Sequence, residues 1–173
     1  KRKLKYTWQL IRMPDSLVGV NTLIPNRLVD LSIRAGVIPE FCSAKDIHRE
    51  VAVGNRSRID LQLSDADGRV SYIEIKNCTL VVDGIARFPD AVTARGVKHL
   101  VELERLCMKG ARCTMFYFVQ RMDARSFQPA DDVDPSYGEA LRRVSANGVN
   151  VMAYDVDVDL NRIRLRCPIP CHL

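Results

Sequence analysis

The chain has 173 residues, 47% of them apolar and 27% charged, which is enough for one packed domain and rules out wholesale disorder. Its 26 lysines and arginines against 21 aspartates and glutamates leave a net charge of +5, mildly favouring a polyanionic partner, while 6% aromatics argue against a base-stacking platform. No apolar run approaches the ~18 residues of a membrane span and no h-region follows the basic start, so neither a membrane protein nor a secretory precursor is expected.

The chain opens on Lys1, Arg2, Lys3 and Lys5 without an initiating methionine, so a preceding segment is expected to have been removed. This basic run fits either a flexible linker or a contact with a DNA backbone. Tyr6 and Trp8 are expected to stay partly exposed. Pro25, Leu28, Val29, Ile33 and Gly36 describe a short helix with a start and a stop. Strands are predicted over 49–53 and 57–63 around the turn Gly54-Asn55-Arg56, and over 70–77 after the turn Asp65-Ala66-Asp67-Gly68. A helix follows over about 92–108, with Leu100 and Leu103 on one side and Gly110 beyond its end. The apolar run 112–120 suits a strand buried on both faces. Residues 123–135 read as a loop, 136–147 as a helix stopped by Gly148, and 149–154 as a strand. Arg162, Arg164 and Arg166 then alternate along a second basic stretch. The fold class is α/β, with a mixed central β-sheet flanked by helices.

Six cysteines, at 42, 78, 107, 113, 167 and 171, form no CxxC pair, and they read as reduced thiols of a cytoplasmic protein. Cys167, Cys171 and His172 lack the second ligand pair of a zinc site.

Chemistry concentrates on the strands around residue 60. Alternation puts Ile59, Leu61 and Leu63 on one face and Arg58, Asp60 and Gln62 on the other; Ile73 and Ile75 likewise oppose Tyr72, Glu74 and Lys76. A turn centred on Asn55 pairs residues whose numbers sum to 110, and one centred on Asp67 pairs those summing to 134. Glu50, Asp60 and Glu74 would then form one row, with Lys76 beside it. Carboxylates placed opposite one another repel unless a divalent cation such as Mg²⁺ or Mn²⁺ draws them together. Such a site, with Lys76 facing the charge that builds on a phosphorane, suits hydrolysis of a phosphodiester. The alternative is a solvated polar face, because any amphipathic strand alternates in this way.

Asp60, a gap of thirteen residues and Glu74-Ile75-Lys76 resemble the PD-(D/E)xK motif of restriction-endonuclease-like nucleases. Gly19-Val20-Asn21-Thr22, Pro25-Asn26-Arg27-Leu28, Ser57-Arg58-Ile59-Asp60, Tyr72 to Asn77, Phe88 to Thr93, Arg95-Gly96, Lys98-His99-Leu100 and Phe118-Val119-Gln120-Arg121 together resemble the sugar fermentation stimulation protein A (SfsA) family over essentially the whole chain. The resemblance implies a restriction-endonuclease-like core over 19–173. It makes 1–18 a linker or remnant of an absent N-terminal OB-like domain. It also implies binding of double-stranded DNA through its phosphates, and a link to the regulation of sugar (maltose) catabolism. A homodimer is a further expectation. Asp60 and Glu74 would ligate Mg²⁺ or Mn²⁺, with the Ile75 carbonyl and Glu50 as further ligands and Lys76 as the catalytic lysine. Two departures stand out: Ala94 follows Val-Thr where the family has an acid, and Leu31 occupies another acidic position. The alternative is therefore a non-catalytic, largely non-specific DNA-binding regulator of sugar catabolism.

Arg58, Asn77, Thr79, Arg95, Lys98 and His99 are the expected DNA contacts. Arg95 and His99 lie four apart on one side of a helix, where they form either a phosphate-binding edge or a solvated cationic stripe. Asp90 either caps that helix or supports the site.

Overall fold

A computed structural model describes residues 5–54 and 57–173; Lys1, Arg2 and Lys3 of the basic run, and Asn55 and Arg56 of the first predicted turn, lie outside the described residues. The elements in chain order are β1 (Leu10–Arg12), β2 (Leu17–Gly19), α1 (Ile24–Arg34), β3 (Ala44–Val53), β4 (Ser57–Asp65), β5 (Val70–Cys78), β6 (Leu80–Val82), β7 (Ile85–Phe88), α2 (Ala94–Cys107), β8 (Arg112–Val119), β9 (Ser126–Pro129), α3 (Pro135–Ala146), β10 (Asn150–Val158) and β11 (Ile163–Ile169), with a 3-10 turn at Pro39–Phe41. The central sheet has the order β11-β10-β8-β5-β4-β3. It is mixed: β8 runs parallel to both β5 and β10, and the other pairs are antiparallel.

The apolar run at 112–120 becomes β8, buried from Cys113 to Val119 at the middle of the sheet. Successive side chains of a strand leave opposite faces, so Met115 and Tyr117 join α2 and α3 while Phe116 and Phe118 join α1. One core thus holds Leu100, Leu103, Tyr137 and Leu141, and the other holds Val29, Ile33, Ile73 and Ile75. α1 runs from Ile24 with Pro25 in its first turn, and Gly36 (φ 70) carries the chain out of it, as expected.

Other expectations shift. β3 begins at Ala44 and β10 continues to Val158. β11 takes up Arg164 and Arg166, answered by Asp157 and Asp155, and Arg162, just before it, is answered by Asp159. The predicted loop 123–135 contains β9, which pairs with β7 in a small separate sheet. The expected boundary at residues 18 and 19 falls inside β2, whose Gly19 N–H donates to the Gln120 carbonyl (2.9 Å). Tyr6 and Trp8 are exposed.

The start of α2 also departs from expectation. Thr93 is the cap, its hydroxyl accepting from Gly96 N–H (3.0 Å), and Asp90 is exposed upstream. The Thr93 hydroxyl, immediately before the helix, reaches its first free amides; Asp90 lies too early in the chain to do so. Asp134 ties this end to α3: its carboxylate accepts from Thr93 N–H (2.8 Å) and from Tyr137 N–H (3.1 Å) while buried. Asp134→Ala removes a cap and orphans a second amide, so it should cost about 3 kcal/mol in urea unfolding. Asp134→Asn should recover only part of it, because its single amide oxygen can answer one of the two N–H groups and its NH₂ faces the other.

Candidate active site

The two hairpin registers decide where the acids meet. The β3–β4 partners from Asp46↔Ser64 to Val53↔Ser57 all sum to 110, and the β4–β5 partners from Ser64↔Val70 to Leu61↔Ile73 sum to 134. Both agree with the sequence reading. The pairing is interrupted at the site itself: the first ladder passes from Arg49↔Leu61 to Val51↔Ile59, skipping Glu50 and Asp60, and the second stops at Leu61↔Ile73. Glu50 holds a left-handed backbone (φ 53), which a non-glycine residue adopts at a cost. Alternation fails across this break. Leu61 and Leu63 pack with α1 as their spacing predicts, whereas Ile59 joins the core beneath α2 and α3, so the three do not share a face.

Asp60 sits where β4 leaves β5. Its carboxylate takes the place of a strand partner: Oδ2 accepts from the Ile75 N–H (2.7 Å) and Oδ1 from Asn26 Nδ2 (2.7 Å). In a strand the N–H and C=O of one residue leave by the same edge, so the Ile75 carbonyl also turns toward this gap. Burial first, then the charge of Glu74, push the Asp60 carboxyl up to about 6, against relief from its two donors and from Lys76.

Glu74 is buried, and its Oε1 receives two donors, Lys76 Nζ (2.7 Å) and His99 Nδ1. Burial raises its pKa, but the His99 bond and the positive charge of Lys76 outweigh that and hold it below the ordinary carboxylate value. Glu74 Oε2 is buried and has no hydrogen-bond partner among the described residues. An orphaned carboxylate oxygen beside a second carboxylate that burial disfavours suits a hard cation, which typically takes one or two carboxylates along with carbonyl and water oxygens. Among the described residues no three Asp, Glu, His or Cys side chains converge on one point, so Glu50 does not complete a three-acid cluster.

A cleft of about 810 Å³ opens above these groups, lined by Glu50, Arg58, Asp60, Arg95, Lys98 and His99. Arg58, Arg95 and Lys98 are exposed there and form a cationic rim. Asn77 and Thr79 stand apart from it. The Asn77 amide oxygen accepts from Gln120 Nε2 (2.7 Å), and the Thr79 carbonyl accepts from Arg121 (3.1 Å), so both tie the end of β5 to the strand beside it. His99 is turned inward, only 7% exposed. Asp30 is engaged by Arg34 (2.7 Å), and Leu31 lines a different hollow. Asn26 is a site residue that the sequence reading does not single out; its only signal is its place in the Pro25-Asn26-Arg27 segment.

Residues 23–162 match the family model described as the sugar fermentation stimulation protein RE domain. A sugar fermentation stimulation protein homolog of Geotalea daltonii is 46% identical over 98% of this chain and 73% of its own length. One from Acidithiobacillus ferrooxidans is 41% identical over 98% and 74%. The structure of Pyrococcus furiosus SfsA in complex with Ca²⁺ superposes with a TM-score of 0.93 over all of this chain and 74% of that one; at 24% identity this likeness concerns the fold.

Proposed function

The chain belongs to the sugar fermentation stimulation protein (SfsA) family, and from that premise we propose that it binds double-stranded DNA and hydrolyses a phosphodiester at a cation site held by Asp60 and Glu74, in the service of sugar catabolism. The observation that carries this reading is Glu74 Oε2, buried and without a hydrogen-bond partner among the described residues, close to Asp60, which lines a cleft with a cationic rim. Mg²⁺ or Mn²⁺, with Asp60, Glu74 Oε2 and the Ile75 carbonyl as its ligands, would polarise a phosphoryl oxygen and lower the pKa of water. The Ca²⁺ held by the Pyrococcus furiosus relative supports a hard divalent cation as the ligand class. Asn26 and the Ile75 N–H fix the Asp60 carboxylate in one orientation. Lys76 sets a positive charge beside Glu74, where it offsets negative charge developing on the phosphorane. Arg58, Arg95 and Lys98 hold backbone phosphates along the cleft. The test is nicking of supercoiled plasmid with Mg²⁺ or Mn²⁺, compared with EDTA.

A second reading, DNA binding without hydrolysis, draws on Ala94 at the start of α2 and on Leu31 facing away from the cleft. Bound plasmid that is never nicked with either cation would favour it. Under both readings, each of Arg58→Ala, Arg95→Ala and Lys98→Ala should weaken duplex binding. Each should also reduce the slope of log K against log salt by ~0.9, measured by fluorescence anisotropy. An unchanged slope in all three places the DNA elsewhere.

A further inference from the structure

We infer that His99 is a positioning residue for Glu74 rather than a DNA contact; this rests on the cation-site reading above. A phosphate contact needs an accessible ring nitrogen, and His99 has neither the exposure nor a nitrogen to spare. Its Nδ1 meets Glu74 Oε1, and Arg95 Nε points at its Nε2 from 3.4 Å. Arg95 can only donate, so Nε2 is the acceptor and the ring proton sits on Nδ1. Lys76 Nζ lies 3.3 Å from the same Nδ1, and since both are donors they are neighbours converging on one oxygen. Glu74 Oε1 is thereby occupied twice, by Nδ1–H and by the ammonium 2.7 Å away, and Oε2 has no partner among the described residues. His99, together with Lys76, therefore fixes Glu74 so that Oε2 is the carboxylate oxygen available to a cation. α2 carries both His99 and Arg95, so the helix that lines the cleft also sets the tautomer.

The side-chain amide of Asn places a donor near Nδ1, whereas that of Gln places one near Nε2. His99→Asn should therefore keep its Mn²⁺ affinity within a few-fold of wild type, while His99→Gln and His99→Leu lose about tenfold or more, titrated by calorimetry. Affinity for a short labelled duplex in EDTA should stay within about twofold in all three, whereas a lost phosphate contact would cost roughly five- to tenfold at ~0.1 M salt. In the unsubstituted protein, long-range ¹⁵N–¹H spectra of the imidazoles, assigned with His99→Asn, should give the Nδ1–H pattern for His99. The inference is overturned if His99→Asn loses as much Mn²⁺ affinity as His99→Leu, if duplex affinity in EDTA falls instead, or if a proton resides on Nε2. Wild-type protein that takes up no Mn²⁺ overturns the cation site itself, and the role for His99 with it; intact wild-type binding isolates a failure to His99 alone.

Discussion

Asp60→Asn should abolish Mn²⁺-dependent nicking and, in the cation-free protein above pH 6, raise the melting temperature. The two effects share one cause. Burial and the neighbouring Glu74 charge lift the Asp60 carboxyl from its ordinary 3.8 to about 6. The folded protein then holds this proton more tightly than the unfolded chain does. Its contribution to stability is fully present below about pH 4 and is lost as pH rises through 6. At neutral pH the charged carboxylate costs on the order of 2 kcal/mol, allowing for its partial contact with solvent. An amide at this position carries no such penalty: its oxygen can accept from the Ile75 N–H and its nitrogen can donate to a flipped Asn26. The variant should melt roughly 4–8 °C higher above pH 6 and match wild type near pH 4. Saturating Mn²⁺ should raise the wild-type melting point and leave that of the variant unchanged. A variant less stable than wild type at every pH would contradict this account of Asp60.

Lys76→Met should have the opposite effect on stability and the same effect on nicking. Lys76 is 14% exposed and Glu74 2%, so their 2.7 Å pair is largely sheltered from water. Removing one partner of a buried pair strands the other charge, at a cost of about 3–5 kcal/mol, which is roughly a 10 °C fall in melting temperature. With Lys76 present, Glu74 is held below its ordinary value, so its contribution is complete above that value and lost as pH falls through the folded one. Without Lys76 the balance tips toward burial, and the deficit should shrink as acid neutralises Glu74. Adding Glu74→Gln to Lys76→Met should recover more than half of the loss at pH 7. Strict additivity of the two substitutions would mean that the pair is not coupled.

The hairpin registers are legible because both turns are short and one face of each strand is apolar, which fixes which numbers sum together. Three glycine stops and the apolar run of β8 are legible for equally local reasons. The break at Glu50 and Asp60 is not. A left-handed glutamate leaves no mark in a pattern of alternating side chains, so alternation assigns Ile59 to the wrong face. β6, β7 and β9 span three or four residues each, too short to show a period. The basic stretch at 162–166 reads as surplus charge because the partners of Arg164 and Arg166 lie on β10, brought opposite only by the hairpin. Asn26 and His99 share this difficulty: they lie 34 and 25 residues from the carboxylates they orient, and no local spacing encodes either contact. The residues proposed to hold the cation stand out in the sequence, whereas Asn26 and His99, which contact them, are brought there only by the packing of α1 and α2 on β4 and β5.

Crystals grown with Mn²⁺ and measured at the manganese absorption edge test the cation site most directly. The expected result is one anomalous peak at about 2.0–2.3 Å from both an Asp60 oxygen and Glu74 Oε2. A peak that touches only one of these carboxylates, or none at saturating Mn²⁺, would contradict it.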